Sequence, residues 1–224
     1  GEFLGKLRGA GRLYPHTGDI GIGGMNNGAC FHDREYPNCP GGDNFQLTGY
    51  ISEFVSGNIV YNGAQRILVY NYFSSKFGID IPDSLDYYDY DLTINDNYGY
   101  QLFGIGQISS VDKHYTAQGQ GFVKIENPTN PGNGKFMIIG HNGDEYDAWV
   151  DYEDPDVNLP DNDPDLRRIK RAWRVDKQGG DMGEIDFSID TSYLPTRESG
   201  FTRYVLMVDT NDGDFVDADI MYEL

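Results

Sequence analysis

Only one stretch of this chain has the periodicity of a helix, and it divides everything else. From Asn62 to Gly78 the residues Ile67, Tyr70, Phe73 or Ser74, and Phe77 recur at helical spacing and define one apolar face. Asn62 suits the N-cap, because its side-chain oxygen can accept an orphan amide of the first turn. Lys76 puts a cation in the last turn, where the helix dipole favours it. Gly78 suits the left-handed C′ position, and Pro82 bars continuation. On both sides the chain reads as short strands and Gly-rich turns. The spacing therefore predicts an all-β protein with two β-rich regions joined by one helix. The rival reading, a helix that docks on a partner, is set against a general fact: most helical stability comes from burying such a face in the chain's own core.

The 224 residues suffice for one large β domain or two small ones. Lys and Arg number 17 against 36 Asp and Glu, a formal net charge of -19. That balance excludes nucleic acid as a natural partner, since phosphates need a basic surface, and disfavours anionic membranes. It fits either solubility or cation binding. The 29 Gly, 17 Tyr and 12 Phe suit a turn-rich β protein with aromatic packing or aromatic surface platforms. No apolar run is long enough to span a bilayer, so no membrane insertion is expected. No signal peptide is read, and the opening Gly-Glu-Phe reads as a cloning remnant of a larger parent chain with neighbouring domains.

Cys30 and Cys39 lie in one Gly/Asn/Pro-rich loop. A short-loop disulfide is the leading expectation, and it implies an oxidising compartment. Free thiols are a second reading. A metal site of Cys30, His32 and Cys39 with His16 is a third, although its spacing matches no common zinc pattern.

Residues 1–28 read as strand, turn, strand, and the glycines at 21, 23 and 24 as a flexible turn, since no strand-turn-helix context supports a phosphate loop. Leu47 to Tyr61 alternates like a strand pair, beginning with Tyr50-Ile-Ser-Glu-Phe-Val. The run Gly49-Tyr-Ile-Ser-Glu-Phe-Val, then Ile59-Val-Tyr-Asn, then a helix ending Tyr72-Phe-Ser-Ser-Lys-Phe-Gly-Ile, resembles the end of a laminin-G/concanavalin-like jelly roll. Phe73 and Phe77 stand at variant positions of that pattern and keep its apolar character. The resemblance implies a partial laminin-G-like region over 1–61, with the cysteine loop inside it, and a linking helix over 62–78.

Residues 79–98 are rich in Asp, Tyr and Asn, and Asp86-Tyr-Tyr-Asp-Tyr-Asp reads as a charged strand or an acidic loop. Beyond Tyr100 six strands are expected, around Gln101–Gln107, Gly121–Glu126, Lys135–His141, Ala172–Val175, Gly183–Asp190 and Arg203–Asp209. Ile185, Phe187 and Ile189 alternate with polar residues, which predicts one buried and one wet face. Regularly spaced strands with almost no helix suggest a sandwich over 79–224. Phe103-Gly-Ile-Gly-Gln, Ile139-Gly-His-Asn, Arg171-Ala-Trp-Arg-Val and Tyr204-Val-Leu-Met-Val-Asp-Thr-Asn-Asp-Gly-Asp-Phe follow one another in this region. In that order they resemble a β-sandwich domain of unknown function that follows laminin-G-like modules in repetitive surface proteins of bacteria using type IX secretion. The resemblance implies an exported, extracellular cell-surface or adhesin-type module, with no chemistry to carry over.

Four clusters are candidates for chemistry. Asp209, Asn211, Asp212, Asp214 and Asp217 crowd the end of the last strong strand, and Ca²⁺ wants several oxygens converging on a turn. The pattern is not an EF-hand, and a turn capped by its own acids is the alternative. The acidic run from Asp144 to Asp165 precedes Arg167, Arg168, Lys170, Arg171 and Arg174. It reads as a solvated loop salt-bridged to that strand, or as a second calcium site. Catalysis is not expected: acids abound, but His16, His32, His114 and His141 stand in no Ser/His/Asp or His-Glu-x-x-His pattern, and Ser109 and Ser110 in no nucleophile elbow. Lastly, Tyr98, Tyr146, Trp149 and Tyr152 lie beside Asp and Asn and form a candidate sugar platform, with ordinary packing as the alternative. Trp173, in a strand pattern, is expected in the core.

The residues together predict an all-β protein, jelly-roll-like and β-sandwich modules joined by one α-helix. The expected function is a non-catalytic surface or adhesion module supported by calcium, with an extracellular glycan or surface protein as partner. The alternative is a carbohydrate-binding accessory module of a secreted polysaccharide-degrading enzyme.

Overall fold

The computed structural model describes residues 50–55, 59–90, 97–120, 122–151, 167–210 and 220–223. The chain divides into two compact units, Glu2–Val60 and one that runs from Tyr61 to Leu224. In the first unit the described residues 50–55 are in no assigned strand. Alternation sets which face of a strand is apolar, but pairing must come from a neighbour. The cysteine loop lies outside the described residues.

The second unit opens with helix α1, Gly63–Phe77. Its start is a capping box: Asn62 Oδ1 accepts from the Gln65 amide at 3.0 Å, and Gln65 Oε1 accepts from the Asn62 amide at 3.0 Å. Its end is Gly78 in the left-handed conformation at φ 60°, with its N–H donating to Ser74. The buried face agrees with the expected one at Ile67 and Ser74 and departs from it elsewhere. Ala64, Ile67, Asn71, Ser74 and Ser75 face inward, whereas Tyr70 and Phe73 are half-buried and Phe77 is exposed. Apolar periodicity misplaces the stripe because three of its buried members are polar. Asn71 Nδ2 donates to the carbonyls of Ile67 and Leu85, and Ser75 Oγ donates to that of Gly99. Bonds of this kind remove the cost of burying them.

Eleven strands follow among the described residues. They are β1 Tyr100–Gln107, β2 Lys113–His114, β3 Thr116–Gly119, β4 Val123–Glu126, β5 Lys135–His141, β6 Trp149–Asp151, β7 Arg167–Ile169, β8 Trp173–Gln178, β9 Asp186–Ile189, β10 Val205–Val208 and β11 Ile220–Glu223. All are paired antiparallel: a four-stranded sheet β2-β1-β5-β8, a three-stranded sheet β3-β4-β9, and the two ribbons β6-β7 and β10-β11. The fold is an all-β sandwich with a single helix among the described residues.

Period-two alternation gives the four-stranded sheet two apolar faces. Phe103, Ile105, Met137, Ile139 and Trp173 turn to one side and pack with Ala117 and Ile125 of the second sheet and with Met182. Leu102, Phe136 and Ile138 turn to the other, where Ala64, Ile67 and Leu68 of α1 and Leu85, Tyr87 and Tyr88 cover them. The Asp/Tyr-rich stretch after the helix is therefore neither strand nor free loop at Tyr87 and Tyr88, but part of the core. Helix and sheet approach closely because Gly104 and Gly106 lie on that face. A Cβ at Gly104 would sit 3.1 Å from Leu68, and one at Gly106 would collide with the Phe136 ring.

The helix start is also tied to the sheet. The Gly63 amide, an orphan of the first turn, donates to Asp112 Oδ1 at 2.9 Å, and Asn62 Nδ2 donates to the Lys113 carbonyl at 2.8 Å.

Candidate functional site

Strands β6 and β7 pair Trp149 with Ile169, Val150 with Arg168 and Asp151 with Arg167. Along this ribbon runs a cleft of about 660 Å³, lined by Asp144, Trp149, Val150, Arg167, Arg168, Lys170 and Glu198. By strand alternation Trp149 and Arg167 share one side and Val150 and Arg168 the other, with Lys170 just past the end of β7; all five line the cleft. The Trp149 indole is fixed at its polar end, where Nε1 donates to the Thr196 carbonyl at 3.0 Å. Its ring lies 6.0 Å from that of Tyr204. One polar atom tied to backbone and a ring at the cleft wall leave the indole oriented but not buried.

The five cations of the basic run serve different ends. Arg171 covers the Tyr146 ring with its guanidinium 4.5 Å from the centroid, donates from Nε to the Asp144 carbonyl at 2.6 Å, and bonds Gln120 Oε1. Arg174 covers Tyr90 at 4.2 Å and donates to its hydroxyl at 3.1 Å. Arg167 faces Glu198 at 3.5 Å. The side chains of Arg168 and Lys170 have no acidic partner among the described residues, and both line the cleft. In a chain of net charge -19, three cations against two acids reverse the prevailing sign locally.

Arg171 holds the cleft's Asp144 wall in place. Asn142 Nδ2 donates to Asp144 Oδ2 at 2.9 Å, and the Arg171 amide donates to the Glu145 carbonyl at 3.1 Å. Behind this turn His141 is buried. The Gly143 amide donates to its Nδ1 at 2.9 Å, which leaves the proton on Nε2, 3.3 Å from Gln101 Oε1. Burial first, and then the Arg171 charge, hold its pKa down to about 4, so the ring is neutral at neutral pH. Gln101 and Gln120, the partners of His141 and Arg171, both take positive φ, at 49° and 53°. A register shift between Tyr100 and Phe103 bends β1 at the same place.

Of the four residues expected to form a sugar platform, the three that are described, Tyr98, Tyr146 and Trp149, have different surroundings. Trp149 lines the cleft. Tyr146 is half-buried between Arg171 and the Phe122 ring, 5.0 Å away. Tyr98 is half-buried, and its carbonyl accepts from the Tyr88 hydroxyl at 2.8 Å. Tyr152 lies outside the described residues. Of the expected calcium ligands, Asp209 directly follows β10 and is half-buried. Asn211, Asp212, Asp214 and Asp217 lie outside the described residues, as do Cys30 and Cys39. Among the described residues no group of three or more His, Cys, Asp or Glu is placed to hold a metal. Among them, too, no helix is long and apolar enough to cross a membrane. Arg168 and Lys170 were expected to be salt-bridged to the acidic run, of which residues 152–166 lie outside the described residues. The structure adds that both line the cleft.

A family model described as a domain of unknown function (DUF8202) matches residues 65–223. No curated protein and no solved structure matches the chain. The matched span begins within α1 and runs to the end of β11, so it takes in the helix, both sheets and the cleft. It covers well over half of the 224 residues, and the chain belongs to this family, the domain of unknown function DUF8202.

Proposed function

We propose that this chain is a non-catalytic module of an extracellular surface protein, and that it holds a carbohydrate chain in the cleft along β6 and β7. The observation that carries this reading is the seating of Trp149. Its indole lines an open cleft, is oriented by Thr196, and stands among charged side chains. A fixed aromatic ring beside polar groups suits a sugar, whose C–H faces stack while its hydroxyls find partners.

The two cleft acids favour binding over hydrolysis. A glycosidase acid must be kept protonated by burial. Asp144 and Glu198 are both exposed, and each faces a donor, Asn142 for the first and Arg167 for the second.

Export is supported by the two resemblances, over 49–79 and over 79–224, and it fits the expected pairing of Cys30 with Cys39, which stand nine residues apart in the sequence. The same reading keeps a calcium ion at the turn after β10, with Asp209, Asn211, Asp212, Asp214 and Asp217 as ligands; the ion would order that turn and offset part of the chain's negative charge. Adhesion and delivery of an attached enzyme both use the cleft, and the neighbouring domains of the parent chain decide between them.

The test is a glycan array probed with wild type and Trp149→Ala. Binding to one polysaccharide class that disappears in the variant, at unchanged melting temperature, supports the reading. Retention of any glycan binding by Trp149→Ala removes the cleft as the site, and absence of binding by wild type removes the function.

A further inference from the structure

We infer that the cleft selects an acidic polysaccharide, one that carries carboxylate or sulfate groups, and that Arg168 and Lys170 are its anion contacts. This rests on the glycan reading above and adds the ligand's charge. Arg171 and Arg174 spend their charge on the Tyr146 and Tyr90 rings, and Arg167 faces Glu198. Arg168 and Lys170 remain, both on the cleft, both without an acidic partner among the described residues. Arg168 lies on β7 and Lys170 directly after its end, and both side chains line the same cleft.

The cleft acids Asp144 and Glu198 already face Asn142 and Arg167, so Arg168 and Lys170 are the cleft cations left to meet a ligand's anions. The surrounding negative charge repels free polyanions, so only a ligand that also gains contacts at the cleft will stay. Trp149 provides such a contact from the other side of the ribbon. A ligand that reaches both sides is a polymer. Arginine pairs carboxylate and sulfate in a planar, two-bond geometry, while lysine acts as a point charge, so the pair accepts either anion.

The experiment is calorimetric titration of the full chain with a polyuronate, a sulfated polysaccharide, a neutral polysaccharide and poly-glutamate. Wild type, Arg168→Ser, Lys170→Ser, Arg168→Lys and Trp149→Ala are compared, each first checked by thermal melt. Expected is binding to the polyuronate, the sulfated polymer or both, weakened about tenfold or more by either serine variant and by raised salt. The two acidic polymers show which anion the cleft prefers. Arg168→Lys retains part of the affinity. Equal binding of the neutral polymer, with no effect of the serine variants, overturns this inference and leaves the glycan reading intact. Equal binding of poly-glutamate shows a charge sink for any polyanion and overturns it as well. No binding of any polysaccharide overturns both.

Discussion

The side-chain oxygen of Asn71 accepts the backbone N–H of Tyr87 at 2.8 Å, from a position only 1% exposed. With Nδ2 donating to the Leu85 carbonyl at 2.8 Å, one buried amide pins the segment after α1 onto the helix. That segment carries Leu85, Tyr87 and Tyr88 into the core. Asn71→Ala removes both bonds without overpacking the site, and each orphaned backbone group costs about 1–3 kcal/mol. A loss of roughly 2–4 kcal/mol in urea unfolding is expected; a loss below about 0.5 kcal/mol would show that the segment is held otherwise.

The helix also separates what was legible in the sequence from what was not. Its caps were legible, because Asn62 and Gly78 act through local backbone geometry. The buried face was only partly so, because periodicity counts apolar residues, and Asn71, Ser74 and Ser75 are polar. The expected stripe ran through Ile67, Tyr70, Phe73 or Ser74, and Phe77; burial keeps Ile67 and Ser74 of it and adds Ala64, Asn71 and Ser75. Ile67→Ala is therefore expected to cost about 2–5 kcal/mol, and Phe73→Ala less. The reverse order, measured by the same unfolding assay, would restore the periodic face.

The six expected strands correspond to β1, β4, β5, β8, β9 and β10, each legible from its apolar residues; β2, β6 and β7, of two or three residues, leave too short a pattern, and β3 and β11 lack a clear alternation. The cleft suffers most from this. Asp144, Trp149, Arg168 and Glu198 come together only through the β6–β7 ribbon and its surroundings, and no local motif reports a pairing across separate segments. Trp149 could be named from its composition and neighbours. Arg168 and Lys170 could not, because which cations of a basic run are already engaged depends on where Tyr146, Tyr90 and Glu198 stand.

His141 gives a pH dependence of definite sign. Its folded pKa is about 4 and its ordinary value 6.5, so between these the unfolded chain binds more protons than the native one. Stability from this group is full above about pH 6.5, falls as pH drops towards 4, and is constant below. Asp176 acts oppositely, because burial raises its pKa above 3.8 despite the Asp89 amide and Gln178. The difference between wild type and His141→Gln isolates the histidine. Wild type should lose more stability than the variant between pH 6.5 and 4, and parallel curves would contradict the burial argument.

Calcium binding to the native state alone raises the melting temperature by mass action. At a hundredfold excess over Kd a rise of about 5–10 °C is expected for a domain of this size, against EDTA. Asp209→Ala should abolish most of it, and magnesium should replace calcium poorly. No shift in wild type, or an equal shift in the variant, would remove calcium from the acidic stretch that follows β10 in the sequence.

The central claim is that a polysaccharide meets Trp149. The chain holds two tryptophans, and Trp173 packs against the core, so a ligand at the cleft acts on one emitter. The decisive measurement is intrinsic fluorescence during titration with the best glycan from the array, for wild type and Trp149→Phe. A saturable change in wild-type emission that is absent from Trp149→Phe is the expected result. Binding that is detected by calorimetry in wild type yet leaves its emission unchanged would place the glycan elsewhere and contradict the account.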